Sequence, residues 1–225
     1  MDKTSPSLPS KTLILAITGG SGSGKTTVAD ALRVALSPRT AVVLREDDYY
    51  RDNRATPGFD PERFNFDDVA ARDHALLAQH LRILKAGRSI EMPRYDFVDH
   101  TRRPERVTVE PATIVIVEGT HVLCTEMLRP LFDYSIYLDV PDDIRLIRRI
   151  RRDVAERQRS VETVIRQYLQ TVRPMHYRQT EPCRALAHTV VKFPENLSTA
   201  ESAEQEKNLR VVVADLARRV SSLRV

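Results

Sequence analysis

Thr12 to Thr27 reads TLILAITGGSGSGKTT, a short apolar run that breaks into a glycine- and serine-rich turn and then into Lys-Thr-Thr. An apolar run of this length bounded by glycines suits a strand buried on both faces of a parallel sheet. The segment Gly19-Gly20-Ser21-Gly22-Ser23-Gly24-Lys25-Thr26 fits GxxxxGK[ST] and leads into a helical pattern. Glycines let the backbone fold tightly around a phosphate, so that successive N–H groups and the helix N-terminus face the negative charge. Lys25 then reaches the β- and γ-phosphates, and the Thr26 hydroxyl ligates Mg²⁺. The donor-binding stretch is thus Gly19, Gly20, Ser21, Gly22, Ser23, Gly24, Lys25, Thr26 and Thr27. A Gly/Ser turn that binds nothing is the bland alternative; the lysine, the hydroxyl and the strand–loop–helix setting together argue against it.

Further apolar runs at 40–44 (TAVVL), 113–117 (TIVIV), 135–138 (SIYL) and 189–193 (TVVKF) are spaced widely enough for crossover helices. That rhythm predicts an α/β, doubly wound, mostly parallel sheet flanked by helices. Val69, Leu76, Leu77, Leu81 and Leu84 share one helical face that ends at Gly87, and a second amphipathic helix is expected over 209–223. Stretches 49–63 and 88–106, rich in turn residues, read as substrate-side loops, and 195–208 reads as a polar, solvated connection. The organisation expected is one P-loop domain over 1–225, with a flexible leader (1–11), a substrate-side insertion (about 88–110) and a lid (about 142–160).

Composition narrows the partners. A net charge of +4 is too small for a nucleic-acid coat and suits a phosphorylated ligand. No apolar run approaches the roughly 18 residues of a membrane span, and 1–11 lacks the core of a signal peptide, so a cytoplasmic protein without membrane or nucleic-acid partners is expected. Cys124 and Cys183 lie far apart in the chain with no CxxC or histidine at ligand spacing; they read as buried or idle thiols, not as a zinc site or disulfide framework.

Two carboxylates follow strands. Asp47, in REDDYY after the second strand, stands at the carboxyl end of the sheet, where open α/β folds bind ligands. There it can take the proton of an attacking hydroxyl; the bland reading is the start of a surface turn. Glu118 ends IVIV in a position that usually holds Mg²⁺ or its water. From Asp142 the chain reads DDIRLIRRIRRDVAERQR, a helix with an acidic cap carrying Arg145, Arg148, Arg149, Arg151 and Arg152, with Arg157 and Arg159 at its end. Ile144, Ile147 and Ile150 can line its buried side and leave arginines free to close over a triphosphate. A solvated basic face, balanced by Asp153, Glu156 and Glu162, is the alternative.

A P-loop is shared by ATPases, GTPases and transporters, but NKxD and LSGGQ are absent. Taken together, GGSGSGKTT, EDDYYR, FNFDD, PRYDFVDHTR, VIVEG and RLIRRIRRDVAERQRSVETVIRQY resemble, in order and spacing, the uridine kinase (uridine–cytidine kinase) family within the phosphoribulokinase/uridine kinase group. The likeness covers most of the chain and breaks at Asp68-Val69, where the family has His-Pro, at His188 and at KFPENL. It implies a P-loop kinase using ATP, or GTP, with Mg²⁺ to phosphorylate the 5′-hydroxyl of uridine or cytidine. It further implies that Asp47 is the catalytic base and that Tyr50, Asp67, Tyr95, His100, Arg149, Arg159 and Gln167 surround the nucleoside. Lys25, Arg152 and Arg157 would act on the triphosphate, Thr26, Glu118 and Asp47 would stand nearest the metal, and the assembly would be a homotetramer. A pyrimidine nucleoside needs a stacking aromatic, donors and acceptors for its base and acidic groups for its ribose, which Tyr95, His100 and Asp67 supply. Rival readings are a kinase of ribulose phosphate, nicotinamide riboside or a pantothenate-like acceptor, and a nucleotide-sensing P-loop protein without catalysis.

Overall fold

The computed structural model describes residues 12–36, 41–53, 56–61, 63–193 and 202–223. Five strands, β1 (Leu13–Thr18), β2 (Ala41–Arg45), β7 (Ile114–Glu118), β8 (Tyr134–Asp139) and β9 (Thr189–Lys192), form one sheet in the order β2-β7-β1-β8-β9. Every pairing in it is parallel, with Ile17 opposite Glu118 and Arg45 opposite Glu118 on the other side. All five expected strands are therefore present.

Alternation along the strands sends successive side chains to opposite faces, and both faces are covered. Ile14, Ala16, Leu44, Val115 and Val117 pack against Leu77, Leu81 and Leu84 of α2 (His74–Lys85). Leu15, Ile17, Ile114, Ile116 and Ile136 pack against Val28 and Leu32 of α1 (Lys25–Ala35) and against Leu216 and Val220 of α6 (Ser202–Ser222). The doubly wound expectation holds for this reason: each strand carries apolar residues in both registers.

Helix boundaries differ from the sequence reading. Val69 falls in a 3₁₀ turn (Val69–Ala71), and α2 begins only at His74, because Asp68 accepts from Ala70 N and Asp73 accepts from Leu76 N. Two side-chain caps thus split the pattern into a turn and a helix. Residues 195–201 of the polar connection lie outside the described residues, and the rest of it is already helix, since α6 starts at Ser202. Between α2 and β7, β3 (Ile90–Met92) pairs with β6 (Val107–Val109), and β4 (Tyr95–Asp96) pairs with β5 (Thr101–Arg102).

The arginine helix α3 (Asp142–Arg157) departs most from expectation. Its buried residues are Arg145, Arg149 and Asp153, while Ile147 is 46% exposed and Ile144 and Ile150 only half-buried. The stripe i, i+4, i+8 faces the phosphate loop and not an apolar layer, so a polar face is what can be satisfied there. The first residue of the helix follows Pro141, and Asp142 works within the first turn, where it holds Arg145 and accepts from Tyr177 Oη at 2.6 Å, instead of capping it. After α4 (Val161–Gln167) the chain widens into π-type turns at Tyr168–Val172 and His176–Thr180, on either side of the short α5 (Arg173–Met175). Pro174, which has no N–H to donate, interrupts the α-helical ladder between them.

Candidate active site

The carboxyl ends of β1, β2 and β7 open into one cleft of about 1010 Å³, counting the space at its mouth that is continuous with solvent. Beside it the chain turns through Gly20 and Gly22, against which α3 packs. A Cβ at Gly22, where φ is 82°, would collide with the Arg145 carbonyl, and one at Gly20 with its guanidinium. Only glycine permits this approach. Arg149 Nη1 donates to Ser21 Oγ at 2.8 Å, so two arginines of α3 hold the loop from above.

Lys25 is buried and donates to the carbonyls of Gly19 at 3.0 Å and Gly20 at 3.1 Å. Burial pulls its ammonium below the ordinary lysine value, against the opposing charges of Glu118 and Asp47. Glu118 is also buried and accepts from Thr26 Oγ1 at 2.8 Å. Burial pushes its carboxyl up to about 7, with Lys25 pulling the other way. Among the described residues no three histidine, cysteine or acidic side chains form a ready-made metal cage. A hydroxyl and one carboxylate nonetheless fit Mg²⁺, which is characteristically held by few protein oxygens together with phosphate oxygens and water.

The raised Glu118 value has a measurable consequence for the ligand-free protein. An unfolded glutamate ionises near 4.5, whereas Glu118 keeps its proton up to about 7, so the folded state binds more protons between those values. Stability should therefore fall as pH rises through that window, by at most ~1.4 kcal/mol per pH unit from this group. Glu118→Gln should flatten the slope, as read from urea melts at pH 5, 6, 7 and 8; an unchanged slope would show that the carboxyl ionises normally.

Asp47 and Glu46 diverge although adjacent. Glu46 is fully buried; its Oε1 lies 2.7 Å from His74 Nε2 and its Oε2 accepts from His121 N at 3.0 Å. Burial pushes its carboxyl up, but the His74 hydrogen bond and neighbouring positive groups outweigh that and leave it well below the usual carboxylate range. Asp47 points into the cleft with its side chain 47% exposed, and Arg72 Nη2 lies 3.5 Å from its Oδ1. Arg72 is buried, donates to Tyr50 Oη at 2.6 Å and lies over the Tyr50 ring at 4.1 Å.

Aromatic rings form the far wall. Tyr50 meets Tyr95 at 4.9 Å between centroids, and His100 stacks on Phe66 at 4.5 Å with planes 21° apart. His100 holds a positive φ of 53°, a conformation that costs a non-glycine residue energy and is worth noting beside a ligand-sized cleft. The Tyr95 hydroxyl and Thr180 Oγ1 also line the cleft and are buried without a hydrogen-bond partner among the described residues. Asp67 accepts from Thr171 Oγ1 at 2.7 Å.

Four arginines line the remaining wall. Asp153, fully buried, lies 2.7 Å from Arg152, 3.6 Å from Arg149 and Arg157, and 3.9 Å from Arg159. Gln167 Oε1 accepts from Arg149 and Arg159, each at 2.9 Å. Arg157 also sits over the Phe97 ring at 5.3 Å. The solvated-face alternative holds for only part of this helix: Glu156 and Arg151 are exposed, whereas Asp153 is the buried centre of a cluster of arginines.

Of the residues expected from sequence, Ser21, Gly22, Lys25, Thr26, Asp47, Tyr50, Asp67, Tyr95, His100, Glu118, Arg149, Arg152, Arg157, Arg159 and Gln167 all line the one cleft. Gly19, Gly20, Ser23, Gly24 and Thr27 do not; Ser23 is buried within the loop and Thr27 points to the exposed side of α1. Sequence reasoning missed Arg72, Phe97, His121 and Thr180 as cleft residues. Phe66 was visible within FNFDD, but nothing local distinguishes Arg72.

Among proteins of similar sequence, the uridine kinase of Lactococcus lactis subsp. cremoris is 41% identical over 188 residues, which is 84% of this chain and 90% of that protein. The uridine kinase of Ligilactobacillus salivarius is 44% identical over 181 residues, 80% of this chain and 85% of that one. Among solved structures, one from Bacillus stearothermophilus, described as a possible uridine kinase, superposes with a TM-score of 0.59 at 25% identity, covering 81% of this chain and 89% of the other. No helix among the described residues is long and apolar enough to cross a membrane. Residues 14–200 match one family, and the chain is a phosphotransferase belonging to the phosphoribulokinase/uridine kinase family.

Proposed function

We propose that this phosphotransferase moves the γ-phosphoryl group of ATP, with GTP as the alternative donor, to the 5′-hydroxyl of uridine or cytidine. The observation that carries the reading is the position of Asp47. Its carboxylate acts electrostatically on Lys25 on one side and pairs with Arg72 beneath the Tyr50–Tyr95 aromatic wall on the other. A base so placed serves an acceptor hydroxyl bound against the aromatics and aimed at a phosphate held by the loop. Uridine kinases at 41–44% identity support the same acceptor.

In this reading Gly19 to Thr27 cradle the triphosphate and Lys25 turns from its loop carbonyls to the β- and γ-phosphates. Thr26 and Glu118 hold Mg²⁺, with Asp47 nearby; the bound ion would neutralise charge on the phosphoryl oxygens. Asp47 accepts the hydroxyl proton. The helix around 142–160 is the lid: Arg152 and Arg157 reach the triphosphate, while Arg149, Arg159 and Gln167 close the acceptor side and exclude water. Asp67 accepts from ribose hydroxyls, and Tyr50, Tyr95 and His100, the last two from the insertion at about 88–110, surround the base. A homotetramer belongs to the same proposal, and a light-scattering mass of four chains tests it.

The deciding experiment is a coupled ADP-release assay with ATP and Mg²⁺ against uridine, cytidine, adenosine, nicotinamide riboside, pantothenate and ribulose 5-phosphate, with products identified by mass. Turnover with uridine or cytidine is expected. Activity with another acceptor alone would keep the phosphotransferase and discard the pyrimidine pocket, and tight ATP binding without turnover would favour nucleotide sensing. His100→Ala should raise the nucleoside KM about tenfold, by loss of a stacked ring and its hydrogen bond, and change kcat little; an unchanged KM removes His100 from the pocket.

A further inference from the structure

Cys124 and Cys183 are the two cysteines of the chain, 59 positions apart, and folding brings their sulfurs to 3.3 Å without a bond between them. A disulfide has its sulfurs about 2.05 Å apart, so forming one here brings the two sulfurs about 1.3 Å closer. Each cysteine lies three residues after a cleft residue, His121 or Thr180. Cys124 follows β7 and donates its backbone N–H to the His121 carbonyl at 2.8 Å, and Cys183 lies in the 3₁₀ turn Glu181–Leu186, just beyond Thr180. Thr120, His121 and Thr180 all line the cleft. Both sulfurs also converge on one carbonyl, that of Gln179, at 3.3 Å from Cys124 and 3.2 Å from Cys183. The Gln179 side chain in turn accepts from Val69 N at 2.9 Å, at the start of the turn that leads to Arg72.

We propose that Cys124 and Cys183 are a dithiol oxidised by hydroperoxides to an intramolecular disulfide, and that the bond weakens acceptor binding. Cys124 is only half-buried whereas Cys183 is 2% exposed, so the oxidant meets Cys124 first. The Cys124 sulfur attacks one peroxide oxygen; the O–O bond breaks, the departing hydroxide takes the thiol proton as water, and a sulfenic acid remains. The Cys183 sulfur then attacks the Cys124 sulfur, its proton leaves with the sulfenic oxygen as a second water, and the S–S bond forms. Two thiols are oxidised and one peroxide is reduced. The disulfide carries no S–H, so the Gln179 carbonyl loses its sulfur donors as the loop after β7 is drawn toward the turn that follows the lid. Both changes reach the acceptor wall through Val69.

The test uses the whole chain under graded hydrogen peroxide, followed by thiol counting in denaturant and peptide mass mapping. Both thiols should disappear together, with a cross-linked Cys124–Cys183 peptide pair roughly 2 Da lighter than the two thiols, in a chain that is not linked to another copy. Dithiothreitol should restore them. In parallel, the acceptor KM should rise about fivefold on oxidation, the equivalent of one lost neutral hydrogen bond, and return on reduction. Cys124→Ser and Cys183→Ser, each of which keeps a hydroxyl donor for the Gln179 carbonyl, should keep the reduced enzyme's kinetics and lose the peroxide response; if the buried Cys183→Ser variant fails to fold, Cys124→Ser alone carries this arm. Independent oxygen addition at either cysteine, or linkage between chains, would overturn the dithiol. A disulfide that forms without altering the acceptor KM would overturn its effect. The bond is read without any substrate, and only the kinetic arm rests on the kinase reading, so failures of the two are separable.

Discussion

Replacing Asp47 with Asn should reduce kcat by roughly 10²–10⁴-fold, the span usual for loss of a general base. The nucleoside KM should stay within about threefold of its starting value, because the group acts on the proton in transit and not on the bound ground state. Asn keeps the size of the side chain and an oxygen for Arg72, whose Nη2 lies 3.5 Å from Asp47 Oδ1. The Asp47 side chain is 47% exposed, and the buried Arg72 keeps its hydrogen bonds to Tyr50 Oη and the Asp68 carbonyl when the Asp47 charge is removed. The thermal melting curve should therefore be unaltered, which separates a chemical defect from a folding one. Near-normal turnover would sink the base assignment and leave substrate positioning as the source of catalysis.

Asp153→Ala should do the opposite: it should disturb the structure first and the chemistry through it. Burial pushes the Asp153 carboxyl up, but Arg152, Arg149 and Arg157 outweigh burial and hold it below the usual carboxylate range. Removing it leaves four guanidinium groups facing one another with Gln167 as a neutral partner for two of them. Breaking a buried ion pair by deleting one partner costs about 3–5 kcal/mol. Arg152, Arg157 and Arg159 retain 34%, 29% and 26% side-chain exposure and can turn to water, so the lower end applies, about 3 kcal/mol. For a chain of this size that is a fall in Tm of roughly 6–12 °C. Turnover should drop as well, since the arginines proposed to clamp the triphosphate lose their common anchor. Asp153→Asn, which keeps an acceptor for Arg152 Nε, should fall between the two. A variant with wild-type melting would return α3 to the solvated-face reading.

The phosphate loop, the five strands, Glu118 and the arginine-bearing helix were legible because each is written in local spacing. A strand repeats every two residues, a helix every 3.6, and a loop motif at fixed offsets, so covalent adjacency carries the signal. Legibility ended where a helix had to choose a partner. Isoleucines at 144, 147 and 150 describe an apolar stripe, yet α3 buries Arg145, Arg149 and Asp153, since the glycine-rich loop beside it offers Ser21 Oγ to Arg149 and the Val140 carbonyl accepts from Arg145 Nε. Of the three acidic residues that balance the arginines on paper, Glu156 and Glu162 stay exposed and Asp153 is, in space, the centre that four arginines share.

The chain's order of residues alone settled the architecture, the phosphate-loop motif and most of the residue types that line the cleft. Folding settled which groups meet: Asp67 with Thr171, 104 positions apart, Arg72 with Asp47, 25 apart, and the two thiols, 59 apart. Those pairings come from the strand order β2-β7-β1-β8-β9, which gathers the carboxyl ends of distant segments into one cleft. No periodicity encodes them, because long-range contacts follow from how the layers close around a common core and not from distance along the chain.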